Sequence, residues 1–227
     1  RMGFNVMEAQ QLDDEFHMFE SLNFPEGHPA RDGYDTFRTA EGFIPPAHTS
    51  TMQHRALKKY KKNLESGGRI AVVIPGRVFR NEDVDATHEH TFYQCEGIFV
   101  SRGTTMGQMM GLLKNFFETY YGQNLNIKTQ PGYFPFTEPS AEMDISCGLC
   151  GGKGCGFCKN TGWVEILGCG MVDPNVLEAC GIDSKEYTGY AFGMGIERIT
   201  NLKYSVKDLR MFSENDVRFL HLFDAAH

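Results

Sequence analysis

The sequence predicts an α+β fold, an antiparallel sheet flanked by helices. Residues 75–101 read as two strands around a polar loop, which is a hairpin. Further strand-like runs follow one another closely, as hairpin neighbours do, with helical patterns interspersed. The glycine-rich string at 193–198 carries Arg198 where a dinucleotide-binding turn needs its third glycine, so no Rossmann fingerprint is present. A chain of 227 residues suits one domain with a sizeable core, so residues 1–227 are read as a single unit.

Taken in order, residues 2–8 predict a strand. Leu12, Phe16, Phe19 and Leu22 then recur at roughly helical spacing, with Asp13 and Asp14 near the helix start. Residues 23–46 are rich in proline and glycine and predict loops. From His48 the string HTSTMQHRALKKYKKNLESGG predicts a helix, with Thr49 or Ser50 as its N-cap and Gly67 as its stop. Residues 69–75 (RIAVVIP) predict a buried strand. In the hairpin that follows, Val78, Phe79, Ile98, Phe99 and Val100 are strand formers, and residues 81–90 hold four carboxylates and two histidines. Alternate side chains of a strand share a face, so Phe92, Gln94 and Glu96 point one way, and Arg80 and Glu82 pair likewise.

Thr104 or Thr105 caps a helix whose apolar stripe is Met106, Met109, Met110, Leu113, Phe116, Phe117 and Tyr120. Residues 124–129 and 132–136 predict strands. Phe134 and Phe136 are two apart and share a face, and Pro135 between them marks an edge or an irregular strand. Residues 138–146 and 163–171 predict two more strands. Asp173-Pro174 opens a short helix that Gly181 closes. Residues 190–195 form a strand end that runs into a helix near 196–202. Ser213, with Asp216 three residues on, caps the last helix.

Composition narrows the function classes. No apolar run approaches the roughly 20 residues of a membrane span. A net charge of −7 argues against a free-standing nucleic-acid binder, and the one basic cluster, Lys58 to Lys62, reads as a solvated helix face. Four of the seven cysteines, Cys147, Cys150, Cys155 and Cys158, form two C-x2-C pairs. Two such turns supply the four ligands of a tetrahedral zinc, and the intervening Gly-Gly-Lys-Gly lets the backbone fold tightly. Reduced or disulfide-bonded cysteines are the alternative, though the spacing suits a metal site in a reducing compartment better. Four thiolates leave no open position for catalysis, so this zinc is structural. Cys95, Cys169 and Cys180 read as small core residues.

Arg80, Glu82, Gln94 and Glu96 on one sheet face are polar groups able to grip a zwitterion or a phosphate; a solvated hairpin face is the alternative. His48, Ser50 and Gln53 open a helix, where backbone N–H groups attract anions. Phe134 and Phe136 can clasp a third ring edge-to-face, or simply pack in a core.

The string GRVFRNEDVDATHEHTFYQCEG at 76–97 resembles motif 2 of the phenylalanyl-tRNA synthetase alpha-subunit family, class II aminoacyl-tRNA synthetases. Residues 189–220, GYAFGMGIERITNLKYSVKDLRMFSENDVRFL, resemble that family's motif 3. Residues 28–37, 48–53, 132–145 and 163–177 also match, in the family's order, so the resemblance covers almost the whole chain. In motif 1 the chain carries Gln10 where a proline is usual.

The resemblance implies a class II synthetase-type sheet and a two-step reaction. Phenylalanine attacks the α-phosphorus of ATP, and the terminal ribose of tRNA-Phe then takes the acyl group. Arg80 would hold the α-phosphate and Arg198 the γ-phosphate end, with Glu82 at the adenine amino group and His88 on the pyrophosphate side. Glu138 and Glu165 would bind magnesium. His48, Ser50, Gln53, Gln94 and Glu96 would surround the amino acid's charged groups. Phe134 and Phe136 would sandwich its ring above Ala191, with Gly193 beside it. The cysteine knuckle at 147–162 would be an insertion at a hairpin tip. The resemblance further implies a cytoplasmic heterotetramer with a larger beta subunit that carries editing, and a catalytic domain without the family's N-terminal tRNA-binding arm. Two other readings stand beside it: a catalytically idle relative that binds amino acid or adenylate, and a zinc-ribbon nucleic-acid binder. Both arginines, the Phe-Pro-Phe string and the Gln-x-Glu pair argue against the first, and the acidic net charge against the second.

Overall fold

In the computed structural model the described residues are 2–31, 36–84, 88–122, 125–156, 158–206 and 208–224. Parts of the predicted loops at 23–46 and 81–90, the start of the strand at 124 and residue 157 of the knuckle lie outside them.

Seven strands form one sheet in the order β1-β2-β3-β7-β6-β5-β4. They are β1 (Asn5–Val6), β2 (Ile70–Phe79), β3 (Thr91–Ser101), β4 (Ile127–Phe134), β5 (Thr137–Ser146), β6 (Trp163–Val172) and β7 (Thr188–Gly195). All neighbours are antiparallel except β1, which runs parallel to β2 through two residue pairs. With its helices this is the predicted α+β class, as a mixed rather than wholly antiparallel sheet. The strand predicted at 2–8 shrinks to two residues because Gly3 sits at φ +80°, a left-handed turn that breaks the extended run.

Side-chain alternation splits the core into two layers. On one face Ile70, Val72 and Ile74 of β2, Ile98 and Val100 of β3 and Ala191 of β7 pack against Ala56, Leu57 and Leu64 of α2 (Gln53–Glu65) and Val176 and Leu177 of α4 (Pro174–Ala179). On the other face Met143 and Ile145 of β5 and Tyr190, Phe192 and Met194 of β7 pack against Met109, Leu113 and Phe117 of α3 (Met106–Tyr121) and Ile199 of α5 (Ile196–Tyr204). Burying each such Leu, Ile or Phe contributes about 1.5–3 kcal/mol.

Helix ends follow local chemistry. Thr105 caps α3 through a full capping box with Gln108, Asp173 caps α4 ahead of Pro174, and Gly67 and Gly181 take positive φ just past α2 and α4, as the sequence predicts. Three predictions need correction. The amphipathic segment at 12–22 forms only α1 (Glu15–Met18), capped by Asp14, and a 3-10 turn at Glu20–Leu22 that ends at Asn23 in the left-handed region. Neither Thr49 nor Ser50 caps α2: a 3-10 turn at Thr49–Met52 precedes it, and the Thr49 N–H is taken by the Gln94 side chain at 3.2 Å. The last helix, α6 (Val217–Leu220), is capped by Asp216, whose carboxylate accepts from Arg218 N; Ser213 bonds Glu89 and Arg210 instead.

β4 and β5 form a tight hairpin in which Phe134 pairs with Thr137, so Pro135 and Phe136 are its turn. Phe136 is thus not a strand residue. The proline has no N–H to donate, which suits the turn rather than the ladder.

Candidate active site

A cavity of about 620 Å³ opens on the α2 face of the sheet, next to the 3-10 turn that precedes α2. Gln94 and Glu96 of β3, Ala191 and Gly193 of β7, and Glu165 and Gly168 of β6 line its base and sides. The β4–β5 turn adds Phe134 and Phe136, the loop after β2 adds Arg80, Glu82 and His88, and α5 adds Arg198. His48 and Ser50 close it below. Residues predicted from five separate stretches therefore meet in one space.

The polar end is built around Glu96, which is 2% exposed. Its carboxylate accepts from Ser50 Oγ at 2.9 Å, Gln53 Nε2 at 2.6 Å and, more loosely, Thr49 Oγ1 at 3.5 Å. Burial raises its pKa to about 7, against the pull of those three donors. A Cβ on Gly193 would stand 3.0 Å from Glu96 Oε2, so the missing side chain there gives the carboxylate its room. Gln53 is fully buried behind Glu96 and does not line the cavity. It holds a cavity residue instead of facing the space. His48 stacks near Phe24 and Phe136, with centroids 6.5 and 6.2 Å away. Burial, then the nearby Arg80 charge, lowers its pKa to about 4, so it is neutral at pH 7, and its Nδ1 has no protein partner.

The apolar end is a set of rings. Phe134 and Phe136 lie 5.9 Å apart at 30°, and Phe24 lies 6.2 Å from Phe136. The pair is brought side by side by the turn and not by strand alternation. Below Phe134 a Cβ on Gly168 would come within 2.6 Å of the ring, so the ring seats on bare backbone. Gly168 pairs with Gly193 across β6 and β7, which leaves the cavity base open there.

The cationic groups stand along the rest of the wall. Arg80 donates Nε–H to Ala47 O at 3.1 Å, lies over the Phe92 ring at 5.1 Å, and faces Glu82 at 3.8 Å. These contacts orient a guanidinium whose side chain is still about one-third exposed. Among the two predicted magnesium ligands, Glu165 lines the cavity; Glu138 lies outside it, exposed at the start of β5. Glu142 stands near Glu165. Partial burial, then Glu165 and Asp144, raises its pKa. The shift reflects burial and the repulsion of neighbouring carboxylates.

The cysteine knuckle lies at the far end of the β5–β6 hairpin. The sulfurs of Cys147, Cys150, Cys155 and Cys158 all fall within 4.8 Å of one another, and all are free thiols. Gly154 N–H points at Cys150 Sγ (3.2 Å), and Cys155 and Gly162 N–H point at Cys158 Sγ (3.1 and 3.3 Å). Burial opposes ionisation of Cys158, yet the two N–H donors and the neighbouring thiols bring it down to about 6. The glycines are structural: a Cβ on Gly162 would meet Gly152 O at 2.3 Å.

A family model described as the tRNA synthetases class II core domain (F) matches residues 1–223. The chain belongs to that family. Relatives named phenylalanine–tRNA ligase alpha subunit include those of Parabacteroides distasonis, 54% identical over 229 residues, and Porphyromonas gingivalis, 52% identical over 229. The alignments cover 100% of this chain and 66% of each relative. A Bacillus mycoides relative of the same name is 51% identical over 225 residues, covering 99% of this chain and 64% of its own. The chain thus spans just under two-thirds of the length of these synthetase subunits.

Within this class II core, sequence reasoning missed Glu142, Glu197 and Phe24. Glu142 shares a strand face with Asp144, a period-two signal that was available. Glu197 lines the cavity and accepts Tyr93 N–H at 2.9 and 3.0 Å, which ties the start of α5 to β3. No local pattern marks that contact, because its partners are 104 residues apart. Phe24 arrives from the loop-rich stretch, where periodicity says nothing.

Proposed function

We propose that this chain is the catalytic core of a phenylalanine–tRNA ligase, which activates phenylalanine with ATP and passes the phenylalanyl group to the terminal ribose of tRNA-Phe. The observation that carries this reading is one cavity with a ring clasp at Phe134 and Phe136, a buried carboxylate at Glu96 beside it, and two arginines on its walls. A phenylalanine ring fits between aromatic faces and glycine backbone. Its ammonium group meets Glu96 and Gln94, and ionisation of Glu96 follows from the arrival of that positive charge. Ser50 and His48 complete the polar end.

At the reacting phosphorus, charge develops on oxygens, and fixed cations stabilise it more than they stabilise the ground state. Arg80 serves the α-phosphate and Arg198 the γ-phosphate end, with Glu82 reading the adenine amino group and His88 near the pyrophosphate. The carboxylate oxygen of the amino acid attacks, pyrophosphate leaves, and the adenylate stays held by Arg80 and the ring clasp. Glu165 and Glu142 line the cavity and would be the oxygen donors for Mg2+, which would neutralise phosphate charge when bound, whereas Glu138 lies outside the cavity. The four cysteines fit a structural Zn2+: they supply four soft ligands in one cluster with N–H donors on two sulfurs.

The alpha-subunit name borne by the relatives supports assembly with a beta subunit; a heterotetramer acting in the cytoplasm is part of the proposed reading. An idle amino-acid-binding role has no observation in its favour, since both arginines line the cavity. Phenylalanine-dependent exchange of pyrophosphate into ATP, measured with the beta subunit present, tests the reading. No exchange with phenylalanine overturns it.

A further inference from the structure

We propose that the cysteine knuckle governs the ATP end of the cavity through Leu202, a positioning residue for Arg198. The proposal rests on the reading above, in which Arg198 contacts ATP.

Leu202 belongs to two apolar clusters at once. It packs against Cys147, Cys158 and Val164 at the knuckle, and against the main core around Ile199, Phe192 and Met194. It lies on α5 four residues after Arg198, one helical turn away and on the same side. The start of α5 has no side-chain cap, because Gly195 occupies the N-cap position. The first turn, which carries Arg198, is held at Glu197 by the Tyr93 N–H and otherwise takes its place from packing. Ile199 provides one anchor in the core, and the Tyr121 hydroxyl donates to Ile199 O at 3.1 Å. Leu202 provides the link to the hairpin tip.

The tip is itself a closed unit. Cys147 N–H donates to Gly162 O at 2.9 Å across the base of the loop, where β5 ends and β6 begins with Trp163. Four sulfurs around one ion make its apolar face rigid; four loose thiols do not. A softened face lets Leu202, and with it α5, tilt against the sheet. The guanidinium of Arg198 then leaves its place. The amino-acid end has supports of its own: Ser50 and Gln53 hold Glu96, the ring clasp sits on the β4–β5 turn, and the Glu197 bond that links α5 to β3 ends at Tyr93, short of them.

Leu202→Ala and Cys158→Ser, each in the full-length chain assembled with its partner subunit, test this by pyrophosphate exchange at varied ATP and phenylalanine. Each variant should raise KM for ATP about fivefold or more, while KM for phenylalanine stays within about twofold. The double variant should be no worse than the worse single one, and Leu202→Met should stay near the parent. Hydrogen exchange of residues 196–204 should quicken in both variants and after chelation of the metal.

An unchanged KM for ATP in Leu202→Ala, or an equal rise for both substrates, overturns the coupling. If elemental analysis finds no metal, the zinc reading falls and Leu202→Ala alone decides the coupling. If Arg198→Ala leaves ATP use unchanged, the site reading falls and this proposal with it. A large Arg198→Ala effect beside a silent Leu202→Ala overturns the coupling only.

Discussion

Gln53 Nε2 donates to Glu96 Oε1 at 2.6 Å, from the first residue of α2 to the middle of β3. Both side chains are buried, and Gln53 never reaches the cavity. Its effect on the amino acid therefore passes through Glu96. Gln53→Leu removes a donor that favours the ionised carboxylate and leaves one oxygen without its partner. Losing such a bond to a charged group costs about 1.5–3 kcal/mol. KM for phenylalanine should rise roughly tenfold or more, with KM for ATP little changed. Steady-state exchange kinetics at varied phenylalanine check this, and an unaltered KM would separate Gln53 from Glu96.

The raised pKa of Glu96 makes folding depend on pH. In the unfolded chain this carboxyl titrates near 4.5, and in the folded chain near 7. Between those values the folded chain holds a proton that the unfolded chain has lost. The contribution of this group is full below about pH 4.5, falls as pH rises, and is gone above about 7. A separation of 2.5 pH units (7 minus 4.5) corresponds to about 3 kcal/mol. Glu96→Gln removes this slope. Denaturation midpoints of parent and variant at pH 5 and pH 8 should show the parent losing more stability over the interval. Parallel curves would mean that Glu96 is ionised in the folded chain at pH 5.

Arg80→Ala and Arg198→Ala should each cut adenylate formation by roughly 100-fold or more, the usual loss for one preorganised charge contact. Arg80 also lies over the Phe92 ring and bonds Ala47 O, so Arg80→Lys keeps the charge and loses the fork that makes both contacts. Arg80→Lys should therefore stay well below the parent. Near-normal pyrophosphate exchange in either alanine variant would remove that arginine from the phosphate contact.

The knuckle should hold one zinc per chain, with four Zn–S distances of about 2.3 Å. Elemental analysis of the purified protein and X-ray absorption at the zinc edge check both statements. Removing the metal should loosen the tip and leave the sheet folded, because the knuckle hangs from the end of the β5–β6 hairpin and, among the described residues, its cluster meets the main core through Leu202 alone. A cooperative loss of the whole far-UV signal on chelation would contradict that placement.

The sheet and the cavity were legible where side chains repeat at a period. Phe92, Gln94 and Glu96 share a face because strands alternate, and the structure sets all three on one wall. The helix ends at Thr105 and Asp173 were legible because a capping residue acts within three positions of itself. What escaped is non-local. Thr49 N–H is satisfied by Gln94, 45 residues on, so a local capping rule named the wrong donor and acceptor. Phe134 and Phe136 do lie together, but a hairpin turn brings them there, and alternation alone mistook Phe136 for a strand residue. Glycines were the quietest signal: Gly168 and Gly193 shape the site by lacking a side chain, and only the neighbouring ring and carboxylate reveal it.

Ala191 tests the floor of the ring pocket. It is 2% exposed on β7, opposite Ile98 of β3 and Gly170 of β6, and it lines the cavity beside Gly193. Residues 191 and 193 share a face, so the alanine methyl is the next group along the wall from the open glycine that accommodates Glu96. An amino acid whose charged end meets Glu96 directs its ring toward that methyl. A para substituent would collide with it. Ala191→Gly frees a methyl's worth of space, worth about 1–3 kcal/mol in such a pocket. The variant should activate para-chloro- and para-bromo-phenylalanine far better than the parent, roughly 10-fold or more in kcat/KM. Phenylalanine itself loses one methyl contact and should fall only modestly. If the halogenated analogues gain nothing, Ala191 does not face the para position, and the ring does not lie between Phe134 and the β7 backbone.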